Sequence, residues 1–174
     1  MGPVKSSNSS TTLHDELRAA LRRTLDNQRM HIIHAFDDLP EEDLSRVVLP
    51  TGWTYLGLVR HLTYDVERFW FRSVQAGESI DLDEIDNAWV VPEGMTAAQV
   101  MTEYQREIDL ANAMIDQTPL DTMPLWWPDF FAPDFVARPL HRTILHVITE
   151  TAAHAGHLDI ARELIDGHQW LVLT

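Results

Sequence analysis

The chain has 174 residues, 45% of them hydrophobic and 23% charged, enough for one soluble globular domain with a real core. Its 27 acidic against 13 basic residues give a net charge of −14, which repels a phosphate backbone, and no Lys/Arg cluster with interleaved aromatics offsets it, so a nucleic-acid partner is excluded. No apolar run approaches the roughly 20 residues of a membrane span, so no membrane partner is expected either.

The opening "MGPVKSSNSSTT" is polar and has no apolar centre. It reads as a disordered tail over residues 1–12 and not as a signal peptide, with a single domain over residues 13–174 and a cytoplasmic location. The first helix is expected from Leu13 to about Asp37, capped by Thr12, with Leu17, Leu21, Leu25, Ile32, Ile33 and Phe36 at helical spacing. Pro40 ends that region. After "LPTGWT" a second helix runs from about Thr54 to Ala76 on the stripe Leu58, Leu62, Val66 and Phe69, with Gly77 as terminator. Residues 73–105 hold seven acids and no Lys or Arg, so the 78–93 stretch reads as a solvated acidic loop. Thr96 caps a third helix to about Asp116, and the Pro- and aromatic-rich crossing "PLWWPDFFAPDFVARP" follows. A fourth helix runs from about Pro139 to Asp166 and stops at Gly167. The β-like runs "RVVLP", "WVVP" and "WLVLT" are too short for a sheet. The pattern predicts an all-α four-helix bundle with a long connection between the second and third helices.

Chemistry concentrates in "ETAAHAGHLD", where Glu150, His154 and His157 stand at i, i+4 and i+7 on one face of the fourth helix, with His146 one turn earlier. Glu150 and His154 can present an oxygen and a nitrogen to one ion. His61, between Leu58 and Leu62 on the second helix, can add a nitrogen from across the bundle. One carboxylate and two imidazoles leave open positions on a metal, as in a catalytic zinc site. The competing reading is a hydrogen-bonded polar seam, since an E-x3-H pair is common in a long helix. His31 and His34 read as surface or packing residues, and the six tryptophans, Trp53 among them, first as packing. The chain has no cysteine, so any metal must use His, Asp or Glu, and any thiol must arrive with a substrate.

The segments "PTGWTYLGLVRHLTYDVERFWFR" and "LHRTILHVITETAAHAGHLDIARELIDG" resemble the DinB-like superfamily of bacterial metal-binding four-helix bundles. Within it they are most similar to the mycothiol transferase group, formerly a domain of unknown function. The resemblance implies an ion held by His61, Glu150 and His154. The Glu variant of this triad is similar to the metal domain of mycothiol-dependent maleylpyruvate isomerase. That isomerase has a further C-terminal domain with no counterpart after the fourth helix here, so thiol transfer is expected and not isomerisation.

The function expected on this basis is a metal-dependent transferase that activates a low-molecular-weight, mycothiol-like thiol as a metal-bound thiolate for attack on an electrophile. The ion is a divalent metal, Zn2+ first, with Ni2+, Fe2+ or Mn2+ as alternatives. His157 and Asp65 are candidates to orient a ligand or move a proton, and Trp53, Arg60 and Arg142 to touch a substrate. The alternatives are a non-haem Fe(II) enzyme on the same triad and a non-enzymatic, stress-linked metal-binding bundle. A homodimer is expected, hiding exposed apolar surface on the crossing at residues 126–135.

Overall fold

A computed structural model describes residues 7–35, 37–79 and 81–170, and every regular element among them is helical. Helix α1 (Ser7–His34) starts earlier than the Leu13 expected, inside the stretch read as tail. It buries Leu21, Leu25 and Ile32, while Leu17 is 42% exposed; Phe36 lies outside the described residues. Beyond the end of α1, Arg162 donates to the carbonyls of Ala35 and Asp37 at 3.0 and 2.7 Å, and the Tyr55 hydroxyl also donates to Ala35. Carbonyls left over past a helix end need such partners when buried. Asp38 turns the chain with φ 62, and Pro40 caps a short helix α2 (Glu41–Leu44) where a plain break was expected.

Helix α3 (Tyr55–His61) begins at Thr54, whose side chain accepts from the Gly57 N–H. From Leu62 to Gln75 the same rod continues as a π-helix, a form with i→i+5 hydrogen bonds, and at its end the Ala76 N–H reaches the Phe71 carbonyl at 3.1 Å. Gly77 then takes φ 69 and ends the rod at its expected terminator. A short helix α4 (Leu82–Asp86) lies in the stretch read as loop. Helix α5 (Ala97–Gln117) opens on a capping box between Thr96 and Gln99, and α6 (Leu140–Asp166) closes on Gly167 at φ 78. Helix α1 packs along α6, and both α5 and α6 pack on the π segment.

The π segment is therefore central, and it buries eleven of its residues, Glu67 and Gln75 included. Glu67, fully buried, accepts from Arg29 Nε and Nη2 at 2.7 and 2.6 Å, a fork-on-fork pair. Asn112 Oδ1 takes the remaining Arg29 Nη1 at 2.8 Å. Buried Glu107 on α5 accepts from Arg68 at 2.9 Å and Arg72 at 3.1 Å. Tyr104 sits beside the first pair, and burial, then the Glu67 carboxylate, raises its hydroxyl pKa.

The aromatic crossing is less exposed than its composition implies. Trp126, Trp127, Phe131 and Phe135 pack against the core, with Phe131 stacked on Trp70 at 5.7 Å and Trp126 against Phe69 at 6.1 Å. The crossing is stitched to the end of the rod by Leu125 and Trp126 N–H groups donating to Gln75 and Val74 at 3.3 and 3.2 Å. Leu125, Phe130 and Val136 stay 75%, 60% and 55% exposed.

Removing Glu67 strips the buried Arg29 guanidinium of its two-point partner and leaves it, among the described residues, only the part-exposed Asp26 carboxylate at 3.1 Å. We expect Glu67→Ala to lower the unfolding free energy by roughly 3–5 kcal/mol in urea titrations, and the double change Arg29→Met with Glu67→Leu to lower it by less.

Candidate metal centre

The last α-helical residue before the π segment is His61, and it faces His154 on α6. Their Nε2 atoms are 3.2 Å apart, with the rings edge to face. A second contact, Trp70 against His146 at 4.4 Å, repeats this pairing in antiparallel register further along the seam.

His61 Nδ1 lies 2.6 Å from Asp65 Oδ2. A carboxylate only accepts, so His61 donates there, and in the neutral ring Nε2 is left as the acceptor that faces His154. With both rings neutral, an Nε2–H on His154 bridges them. His154 Nδ1 is then a bare acceptor, and it is buried without a partner among the described residues, as is Asp65 Oδ1. Burial first, then the neighbouring His61 and His157, holds the His154 pKa down at about 4. The ring is therefore neutral at pH 7, the state a metal ligand requires.

Two nitrogens on one tetrahedral ion, with bonds of about 2.0–2.1 Å, lie roughly 3.3 Å apart. The 3.2 Å separation fits that spacing, and the tautomer fixed by Asp65 fits ligation. Glu150 stands further off, with Oε2 4.0 Å from His154 Nε2 on a side chain 40% exposed. Among the described residues no group of three His, Asp or Glu is gathered as a ready cation site. The histidine pair with its aspartate is assembled; Glu150 is near but not drawn in.

The other candidates divide. His157 is exposed, its ring 5.5 Å from His154, and Trp53 lies 6.5 Å from His157, so both edge the centre. Arg60 does not: it is buried over the Tyr64 ring at 4.8 Å, with Nη1 3.3 Å from Met95 Sδ and 3.7 Å from Glu103. Arg142 lines a separate cavity with His146. His31 pairs with Asp159 at 2.7 Å and stacks on Trp170, a packing role as expected.

Trp89 was not among the sequence candidates. It stacks on His61 at 4.2 Å and 17°, roofing one face of the ring. The 78–93 stretch is thus not wholly a solvated loop: it carries α4, the fully buried Ala88 and this tryptophan. A tryptophan inside an acidic run was the available signal. Gly57 makes the approach possible, because a Cβ there would lie 2.6 Å from the Trp89 carbonyl oxygen.

The family model described as Mycothiol-S-transferase matches residues 20–167, which span α3, the π segment and α6. The chain belongs to the mycothiol S-transferase family. No curated protein and no solved structure matches it. Every residue of the centre lies inside the family match.

In the metal-free protein the folded state takes up the His154 proton less readily than the unfolded chain. That contribution to stability is complete above pH 6.5 and is lost as the pH falls from 6.5 towards 4. We expect wild-type stability to fall more steeply over this window than that of His154→Gln. The His154 ring should titrate by NMR near pH 4, and a midpoint at the ordinary histidine value would contradict the burial argument.

Proposed function

We propose that this protein is a cytoplasmic, metal-dependent transferase that uses mycothiol or a similar low-molecular-weight thiol, built as a DinB-like four-helix bundle. The observation that carries the reading is the His61–His154 pair, 3.2 Å apart with His61 locked by Asp65, in a member of this family that has no cysteine of its own.

His61 and His154 would hold the ion, with Glu150 as the candidate third, anionic donor. A bound divalent cation, Zn2+ first and Ni2+, Fe2+ or Mn2+ otherwise, supplies positive charge that lowers a thiol's pKa from its free value near 8.5. Asp65 keeps the His61 tautomer. Trp89 excludes water from one face of that ring. His157, exposed at the edge, takes the proton the thiol gives up. The thiol sulfur forms a bond to the electrophilic atom of the second substrate as that atom's bond to its leaving group breaks, and His157 returns the proton to the departing group.

The 4.0 Å gap to Glu150 favours a second reading, in which the bundle does no chemistry and the histidines are a polar seam. Cobalt titration separates the two. The transferase reading expects His61→Ala, Glu150→Ala and His154→Ala each to weaken Co2+ binding at least tenfold, with His157→Ala costing less. It also expects mycothiol to change the cobalt spectrum and to do so below the pKa of the free thiol. Equal binding in all four variants, or a spectrum indifferent to the thiol, sinks it.

The exposed Leu125, Phe130 and Val136 support a homodimer through the crossing. Sedimentation should then show a dimer at micromolar protein that Phe130→Glu converts to monomer.

A further inference from the structure

A cavity of about 240 Å³ opens beside the N-terminal half of α6, walled by Trp70, Trp127, Phe135 and His146 and rimmed by Arg138 and Arg142. Its walls are held in place. Trp127 Nε1 donates to the Phe135 carbonyl at 3.2 Å, His146 packs edge-on against Trp70 at 4.4 Å, and the buried Thr143 hydroxyl is taken by Gln75 at 3.3 Å. Pockets for drug-sized ligands start near 300 Å³, so the occupant here is a smaller molecule of about one ring.

The rim brings two free cations to one place. In a protein of net charge −14, Arg138 and Arg142, like Arg18, Arg23 and Arg106, enter no ion pair among the described residues, but these two meet at one aromatic cavity. Two unanswered guanidiniums on one aromatic cavity select a carboxylate joined to a flat apolar body. The first turn of α6 adds its positive dipole end. Its backbone N–H groups are already used: Leu140 and His141 donate to Thr122 and Leu120, and Arg142 and Thr143 to Pro139. The arginine side chains must therefore do the binding. Burial lowers the His146 pKa against the pull of Glu150, so that ring adds polarity without charge at neutral pH.

We propose that this cavity binds a small aromatic carboxylate, with its ring against the wall formed by Trp70, Trp127 and His146 and its carboxylate on Arg138 and Arg142. The site lies on the same seam as the histidine pair, since His146 is one turn from Glu150 and Glu150 one turn from His154. Two turns are about 11 Å, so the cavity would anchor the carboxylate end of an electrophilic co-substrate whose reacting atom extends towards the histidine pair. That role rests on the transferase reading, but the binding itself does not.

The test is calorimetric titration of the metal-free protein with benzoate, cinnamate and 4-phenylbutyrate, and with cinnamamide as the uncharged match for cinnamate. At least one acid should bind, cinnamate at least tenfold more tightly than its amide. Arg138→Gln with Arg142→Gln should cost the acids tenfold or more and leave the amide unchanged. Binding by the His61→Ala variant should equal wild type, which keeps this result independent of the metal centre. No binding by any of the three acids, equal affinity for acid and amide, or an unaffected double variant would each overturn the proposal.

Discussion

The rod from Tyr55 to Gln75 runs through the middle of the protein, and its neighbours surround it closely enough that eleven side chains of its π segment are buried. A helix so enclosed can carry charge only where another helix supplies the opposite charge or a matching donor. Glu67 is answered from α1 by Arg29, and Arg68 and Arg72 are answered from α5 by Glu107. These contacts set how the surrounding helices sit, because a buried carboxylate tolerates little displacement of its guanidinium.

The histidine pair obeys the same rule but leaves it incomplete. Arg29 and Glu67 use their fork donors and both carboxylate oxygens on one another. His61, Asp65 and His154 form a chain of contacts that ends at each side in a buried atom with no partner among the described residues, Asp65 Oδ1 and His154 Nδ1. Both clusters lie within the family match, and only the histidine pair leaves its own atoms open. An open cluster of this kind is costly unless something occupies it, which is the physical ground for treating it as the candidate centre.

What the sequence disclosed was local. Thr54, Thr96, Gly77 and Gly167 act within a few residues of themselves, and the structure uses each where the pattern placed it. His61 and His154 were legible because helical spacing and the family's motifs converge on them. The long-range partners were not. Nothing near Arg29 announces Glu67, and the acidic composition of residues 78–93 hid a tryptophan that stacks on His61. The widening of the rod into a π-helix after His61 also escaped the periodicity, because a stripe of apolar residues is compatible with either winding when nearly the whole circumference is buried. Arg60 was a candidate to touch a substrate, yet adjacent residues on a helix point in different directions, and beside His61 it goes to Met95 and Glu103.

Gly57 carries a consequence out of proportion to its size. It lies one turn ahead of His61 and has no side chain to offer either histidine, but its bare Cα is what lets the Trp89 backbone come close enough to set the indole on the imidazole. A single methyl group at that position would press on a main-chain oxygen that cannot rotate aside. The 78–93 segment, which bears six of the chain's acids, would have to shift, unroofing the ring and changing the negative field around it together. Loss of function in such a variant would look chemical, although no reacting group had been altered. In this protein the shape of a helix surface and the electrostatics of its candidate centre are joined through one missing side chain.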